Sequence, residues 1–220
     1  FKNVNFKYYS NSKKNVLDNI SFKIKPGETL GIIGPTGSGK STIAKLISHD
    51  FKIESGEILI DNNNINEIDS NSLNNNISHV YQIPLILSGT IKSNLLFANP
   101  NASDENIIDS TKISCAYDYI NKFSEKFEHK IEQKGANLSG GQKQRLSIAQ
   151  GIIRNPKILI LDDSTSALDN KTEKAVIQNI KNKFKKSPIS LIIISQKISS
   201  IIDADNIIVM HHGHISASGT

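Results

Sequence analysis

The chain has 220 residues, a net charge of +5, 37% hydrophobic and 21% charged residues, and a single cysteine. That length supports one large α/β domain with its own core, and the balance of apolar and charged residues excludes a disordered or fibrous chain. No apolar run reaches the length of a membrane-spanning helix, Phe1-Lys2-Asn3 does not open a signal peptide, and the lone Cys115, read as a small apolar filler, excludes an internal disulfide.

In chain order, Val4 to Tyr8 and Ile20 to Ile24 read as strands joined by a polar loop, with Pro26-Gly27 turning the chain. Leu30 to Ile33 is a short apolar run that predicts a buried strand, and Ser41 to Ile47 follows at helical period. A strand over Glu57 to Ile60 comes next. The Asn-rich stretches Asn62 to Asn66 and Asn71 to Asn76 read as loops. From about Thr90 to Phe127 glycines vanish and apolar residues recur at three- and four-residue spacing, which predicts helices; Tyr117 and Tyr119 are assigned to packing there. Ser139 to Arg154 reads as a helix, Ile158 to Leu161 as a strand buried on both faces, Lys171 to Lys183 as a helix, and Ile189 to Ile194 as a further buried strand. Asn206 to Met210 and His214 to Ala217 flank His212-Gly213 as a hairpin. His49, His79 and His129 lack ligand-like spacing and are expected at the surface, and the His211, His212 and His214 cluster is expected to be solvated. The lysines are scattered among Asn and Ile, so the positive charge is a weak pointer to nucleic acid or an anionic surface; the dense run Lys181 to Lys186 suits a helix C-terminus.

Three constellations carry chemistry. Gly34-Pro35-Thr36-Gly37-Ser38-Gly39-Lys40-Ser41, followed by Thr42, fits G-x-x-x-x-G-K-[ST] between a strand and a helix. The glycines let backbone N–H groups curl into an anion nest at a helix N-terminus, Lys40 reaches the β- and γ-phosphates, and Ser41 suits Mg²⁺. Ile158 to Leu161 ends in Asp162-Asp163. Asp162 is placed to orient Mg²⁺ opposite Ser41, and Asp163 to polarise an attacking water. Leu138-Ser139-Gly140-Gly141-Gln142 is a second anion cradle, with Ser139 capping the helix that follows. One nucleotide rarely needs two cradles, so the second is expected to close on a nucleotide held by another subunit.

With these residues the sequence resembles the nucleotide-binding domain of ATP-binding-cassette (ABC) transporters, from Val4 to Thr220. The resemblance implies a phosphate-loop NTPase α/β core with a mostly parallel sheet, an N-terminal antiparallel β subdomain and an inserted α-helical subdomain. The core would be about residues 1–86 and 155–220, and the insert about 87–154. The resemblance implies ATP and Mg²⁺ as cofactors. Tyr8 falls where the family stacks a ring on adenine. Gln82 matches the family's Q-loop glutamine, a Mg²⁺ and water contact, and Ser166-Ala167-Leu168-Asp169 the D-loop at the dimer interface. Leu138 to Gln142 matches the signature motif, which would complete a partner's site. Ser88-Gly89-Thr90-Ile91 and Gln133-Lys134-Gly135 resemble the exporter branch, in which a transmembrane half precedes this domain on the same polypeptide. Phe1 is not a start residue, which fits that expectation. The implied setting is the cytoplasmic face of a membrane, and the implied partner a second nucleotide-binding domain, head to tail and heteromeric, with no specific nucleic acid.

Three positions depart from the family pattern. Asp163 stands where Glu is usual, Gln196 where the switch His is usual, and Gln133 where many exporters carry Glu. The first two act on the same step, which leads us to expect tight nucleotide binding and slow turnover in this chain's own site, with Asp163, Gln196 and Gln82 as its catalytic residues. The alternative reading is a soluble ABC ATPase that clamps nucleic acid or the ribosome. The third, a kinase or GTPase, lacks support because Asn182-Lys183 is not followed by the Asp of a guanine-reading motif.

Overall fold

A computed structural model describes all residues 1–220. Strand β1 (Lys2–Phe6) and β2 (Leu17–Ile20) lead to β3 (Thr29–Ile33), the glycine-rich loop and helix α1 (Lys40–Ile47). Short strands β4 (Ser55–Glu57), β5 (Leu59–Ile60) and β6 (Asn63–Asn64) precede α2 (Ser70–Asn76) and β7 (Ile77–Val80). The middle of the chain holds β8 (Gly89–Thr90), α3 (Ile91–Ala98), α4 (Asp104–Ile113), α5 (Tyr117–Ile120), β9 (Lys130–Ile131) and α6 (Gly140–Ile153). β10 (Ile158–Asp162), α7 (Asn170–Lys183), β11 (Ser190–Ile194), β12 (Asn206–His211) and β13 (His214–Gly219) complete it.

Six strands form the main sheet in the order β13-β12-β3-β11-β10-β7, and only the β12–β13 pair is antiparallel. Central strands covered on both faces need apolar side chains throughout, which explains the unbroken runs in β3, β10 and β11. A first apolar cluster packs α1 and the antiparallel sheet β2-β1-β4 onto one face. A second, built on Leu159, Leu161, Leu191 and Ile193 with Val176 and Ile180 of α7, fills the other face. A third, drawn from residues between Ile86 and Ile153, is the core of the helical region, with Tyr119 buried in it as expected. No helix is long and apolar enough to cross a membrane.

The N-terminal strands run earlier than the sequence pattern indicates. β1 ends at Phe6 and β2 at Ile20, because the buried pairs are Val4 with Ile20 and Phe6 with Leu17; beyond Ile20 the two segments meet again at Phe1 and Phe22, where Phe22 N donates to Phe1 O (3.2 Å) and Phe1 N to Phe22 O (3.0 Å). The stretch read as one strand over Glu57 to Ile60 is split, β4 pairing with β1 and β5 with β6, around buried Ile58. The Asn-rich stretches are not loops. Asp61 and Asn62, both at positive φ (50° and 65°), make the turn of the β5–β6 hairpin. Asn71 to Asn76 are helical, since Asp69 caps α2 by accepting from Ser72 N at 2.9 Å, and Leu73 anchors the helix in the core. A cap and one buried side chain outweigh the weak helix propensity of Asn. The hairpin at His212-Gly213 forms as expected, and α7 ends in the lysine run.

Candidate functional site

The functional side chains gather at the C-terminal edge of β3, β10, β11 and β7. This is where a parallel α/β sheet leaves its loops free to bind ligand. The loop of residues 34–39 leaves β3 and enters α1. Gly34 is required there, because a Cβ would lie 2.2 Å from the Met210 carbonyl oxygen. At Gly37, with φ of +78°, a Cβ would meet nothing within 4 Å, so that backbone faces open space. Lys40 Nζ donates to the carbonyls of Gly34 (2.7 Å) and Pro35 (2.8 Å), and burial holds its ammonium below the usual lysine range. The Ser38 hydroxyl is buried without a partner. A concave loop with inward polar groups and a poised cation suits a polyphosphate.

Ser41 and Asp162 are 121 positions apart in the chain, yet the Ser41 hydroxyl donates to Asp162 Oδ1 at 2.9 Å. Gln82, just after β7, donates through Nε2 to Asp163 Oδ2, also at 2.9 Å. Burial and then the neighbouring Asp162 push the Asp163 carboxyl above its ordinary range. Asp163 adopts φ of +47°, a left-handed conformation that Asp tolerates better than most residues. Gln196 follows the end of β11 and is exposed, between buried Ser195 and half-buried Lys197. Tyr8 packs edge-on against Phe6 and Phe51 and hydrogen-bonds Thr42 Oγ1 at 3.1 Å, so its ring stands beside the helix that follows the glycine-rich loop.

The hydroxyl of Ser41, the carboxylate of Asp162 and the amide oxygen of Gln82 are hard oxygen donors, the set that suits Mg²⁺. No group of three or more His, Cys, Asp or Glu could hold a metal alone. These residues fit the ion.

Ser139 caps α6 reciprocally: Gln142 N donates to its Oγ (3.3 Å), and Ser139 N donates to Gln142 Oε1 (2.8 Å). Leu138 is buried in the helical-region core, while Ser139 and Gly140 are exposed. Gly141 lies against the 166–169 loop, where a Cβ would come within 3.3 Å of Ala167 O. Gln144 binds that loop from both ends, donating to Ser166 Oγ (3.0 Å) and accepting from Ala167 N (2.8 Å). Leu168 is buried, and Asp169 caps α7 by accepting from Lys171 N and Thr172 N.

The geometry also names residues that sequence reasoning missed. Glu173, 2% exposed, accepts from the Thr165 and Ser200 hydroxyls, Ser200 at 2.7 Å, and faces Lys197 Nζ at 3.7 Å. It thereby joins the loop after Asp163 to the loop after Gln196. Asn94, fully buried, accepts from Leu87 N and donates to the carbonyls of Leu87 and Thr90, clamping the segment that follows Gln82. His79 is not at the surface: its side chain is 3% exposed and faces Asp162, because alternation along β7 turns it towards α1. Nothing in the local sequence marks these burials, since each depends on a segment remote in the chain. Cys115 packs against the second apolar cluster, and burial pushes its thiol up, as suits a filler.

A sequence profile described as ABC transporter matches residues 17–166. The chain belongs to the ABC transporter family. It is 44% identical to an ABC transporter ATP-binding protein of Mycoplasma genitalium, over 98% of this chain and 36% of the relative. It is 42% identical to an export ATP-binding/permease protein of Rickettsia bellii (100% and 38%), and 41% identical to a multidrug export ATP-binding/permease protein of Staphylococcus aureus (99% and 37%). The solved structure of a bacterial Atm1-family ABC exporter with ATP bound superposes with a TM-score of 0.94 at 32% identity, covering 100% of this chain and 38% of that one. The chain therefore spans under two-fifths of the length of these relatives. The expected fold class, an α/β core with a mostly parallel sheet, is the one found.

Proposed function

We propose that this ABC transporter chain is the ATP-binding and ATP-hydrolysing part of a membrane exporter, at the cytoplasmic face of the membrane. The observation that carries this reading is the convergence of Lys40, Ser41, Gln82, Asp162 and Asp163 at one sheet edge from three separate segments. The loop of residues 34–42 binds the phosphates, with Tyr8 against the adenine. Ser41, Asp162 and Gln82 hold Mg²⁺, which when bound neutralises phosphate charge. The exporter relatives support a transmembrane domain as partner, and they do not favour the nucleic-acid clamp. Residues 87–154 act as a helical subdomain that presents Ser139 to Gln142; its own apolar cluster supports that division. The exposed Ser139 and Gly140, beside the exposed Ser166 and Ala167, suit a second domain docking head to tail, each signature closing the other's nucleotide.

This chain's own site is slow in our reading. Asp163 is shorter than Glu by one methylene, roughly 1.5 Å of reach, and a 1 Å misplacement costs about 100-fold in rate. Gln196 donates a hydrogen bond but carries no charge, so it stabilises developing negative charge less than a His cation would. Binding is untouched by either residue, so the partner in the dimer supplies the fast site. The test is ATP turnover by the full-length protein and by its D163E/Q196H variant. The variant is expected to gain about 10- to 100-fold in kcat with little change in KM. Equal rapid turnover in both refutes the slow-site reading.

A further inference from the structure

His79 is the third residue of β7, opposite Ile160 in the parallel ladder with β10. Residues that alternate along a strand share a face, so Ile160, Asp162 and His79 all point to the α1 side of the sheet. Two contacts fix the imidazole. Nδ1 lies 3.0 Å from Ser48 Oγ, at the end of α1, and the ring stacks on Tyr81 with centroids 3.9 Å apart. The remaining nitrogen, Nε2, is buried without a hydrogen-bond partner and stands 3.7 Å from Asp162 Oδ2. That separation is just beyond hydrogen-bonding range. Buried polar nitrogens without a partner are few in folded proteins, and here a carboxylate oxygen faces the unpaired nitrogen. A Ser48 hydroxyl that donates to Nδ1 leaves the ring proton on Nε2, facing that carboxylate.

We propose that His79 is a positioning residue for the metal-holding carboxylate: its Nε2–H takes Asp162 Oδ2 and fixes the carboxylate's rotation, leaving Oδ1 on the Ser41 side for the cation. This rests on the reading of Asp162 as a Mg²⁺ residue. His79 touches neither nucleotide nor ion. Ser48 and Tyr81 hold the imidazole, the imidazole holds the carboxylate, and the carboxylate is presented in one orientation. Carboxylates that bind metals are commonly held by such an outer partner, whose loss costs 10- to 100-fold in metal affinity.

The experiment measures equilibrium binding of a fluorescent ATP analogue to the full-length protein, first in EDTA and then across a Mg²⁺ titration. H79L removes the donor and keeps an apolar side chain; H79Q restores an N–H at similar reach. Affinity in EDTA is expected to agree within about twofold among wild type and both variants, because no contact to nucleotide is lost. The Mg²⁺ concentration for half-maximal enhancement is expected to rise about 10-fold or more in H79L and to return to within about threefold of wild type in H79Q. Should H79L not fold, H79M, equally unable to donate, takes its place. A Mg²⁺ curve unchanged in H79L overturns the proposal, as does an equal loss with and without Mg²⁺, which marks a packing role. D162N separates the two levels of inference. If it leaves Mg²⁺ dependence intact, the metal reading itself fails; if it abolishes that dependence while H79L does not shift it, only the role of His79 fails.

Discussion

Glu173 offers a sharp quantitative test, because its two carboxylate oxygens do different things. Oε1 accepts from the hydroxyls of Thr165 and Ser200, both buried, while Oε2 faces Lys197, which is 38% exposed. Replacement by Ala removes the acceptor shared by two buried hydroxyls; Thr165 is then orphaned at a cost of about 1–3 kcal/mol, while Ser200 keeps only its contact with Ser195 Oγ at 3.1 Å. Lost packing at the cavity brings the expected destabilisation to about 3–4 kcal/mol. For a chain of this length that corresponds to a fall in Tm of roughly 6–15 °C. Replacement by Gln keeps an oxygen for both hydroxyls and gives up only the Lys197 pairing. With Lys197 partly in solvent, that pairing contributes about 0–1 kcal/mol. The predicted ratio is therefore lopsided: severe for E173A, slight for E173Q. Urea unfolding of the 220-residue chain, followed by far-UV circular dichroism, measures both. The slope of free energy with urea should stay constant, so that the midpoint alone moves. An E173A variant within about 0.5 kcal/mol of wild type refutes the reasoning, since surface substitutions behave that way and buried acceptors do not. Equal large losses in both variants would instead mean that the charge facing Lys197, and not the shared oxygen, holds the two loops.

Replacing Lys40 with Ala removes the cation held on the Gly34 and Pro35 carbonyls; ATP-analogue affinity is expected to fall about 10- to 100-fold with little change in urea midpoint. Gly34→Ala should prevent the loop from closing on Met210 O, reducing nucleotide binding and lowering stability by about 1–3 kcal/mol, readable by isothermal titration and urea unfolding. An N94A variant leaves the amide of Leu87 and the carbonyls of Leu87 and Thr90 without their side-chain partner. We expect a loss of about 2–3 kcal/mol and faster hydrogen exchange confined to residues 87–94, resolved by peptide mass spectrometry.

The main sheet was legible because central parallel strands are covered twice: β3, β10 and β11 are unbroken apolar runs with no competing interpretation. The meeting of Lys40, Ser41 and Asp162 was legible because G-x-x-x-x-G-K-[ST] and a strand ending in Asp are recognisable by spacing alone. The N-terminal strands were displaced because Ile20, Phe22 and Ile24 alternate as a strand should, yet pairing with β1 runs only to Val4 opposite Ile20. α2 was hidden by composition: six asparagines and serines conceal one anchoring Leu73. Glu173 lies among Lys171 and Lys174 and resembles any solvated helix charge; its burial is decided by the loop at 195–200, far along the chain. His79 was missed for a related reason. The sequence around it shows a strand residue, but only the register of β7 on β10 reveals which side chain it opposes.

Gln144 has a mechanical consequence. Its single amide grips Ser166 Oγ and Ala167 N from a helix rooted in the helical region. Since α6 also packs Ile148 and Ile152 against the sheet, any tilt of this helix would pull on residues 166 and 167 through those two bonds. Were the helix to move, the strap would carry its displacement to within a few residues of Asp163.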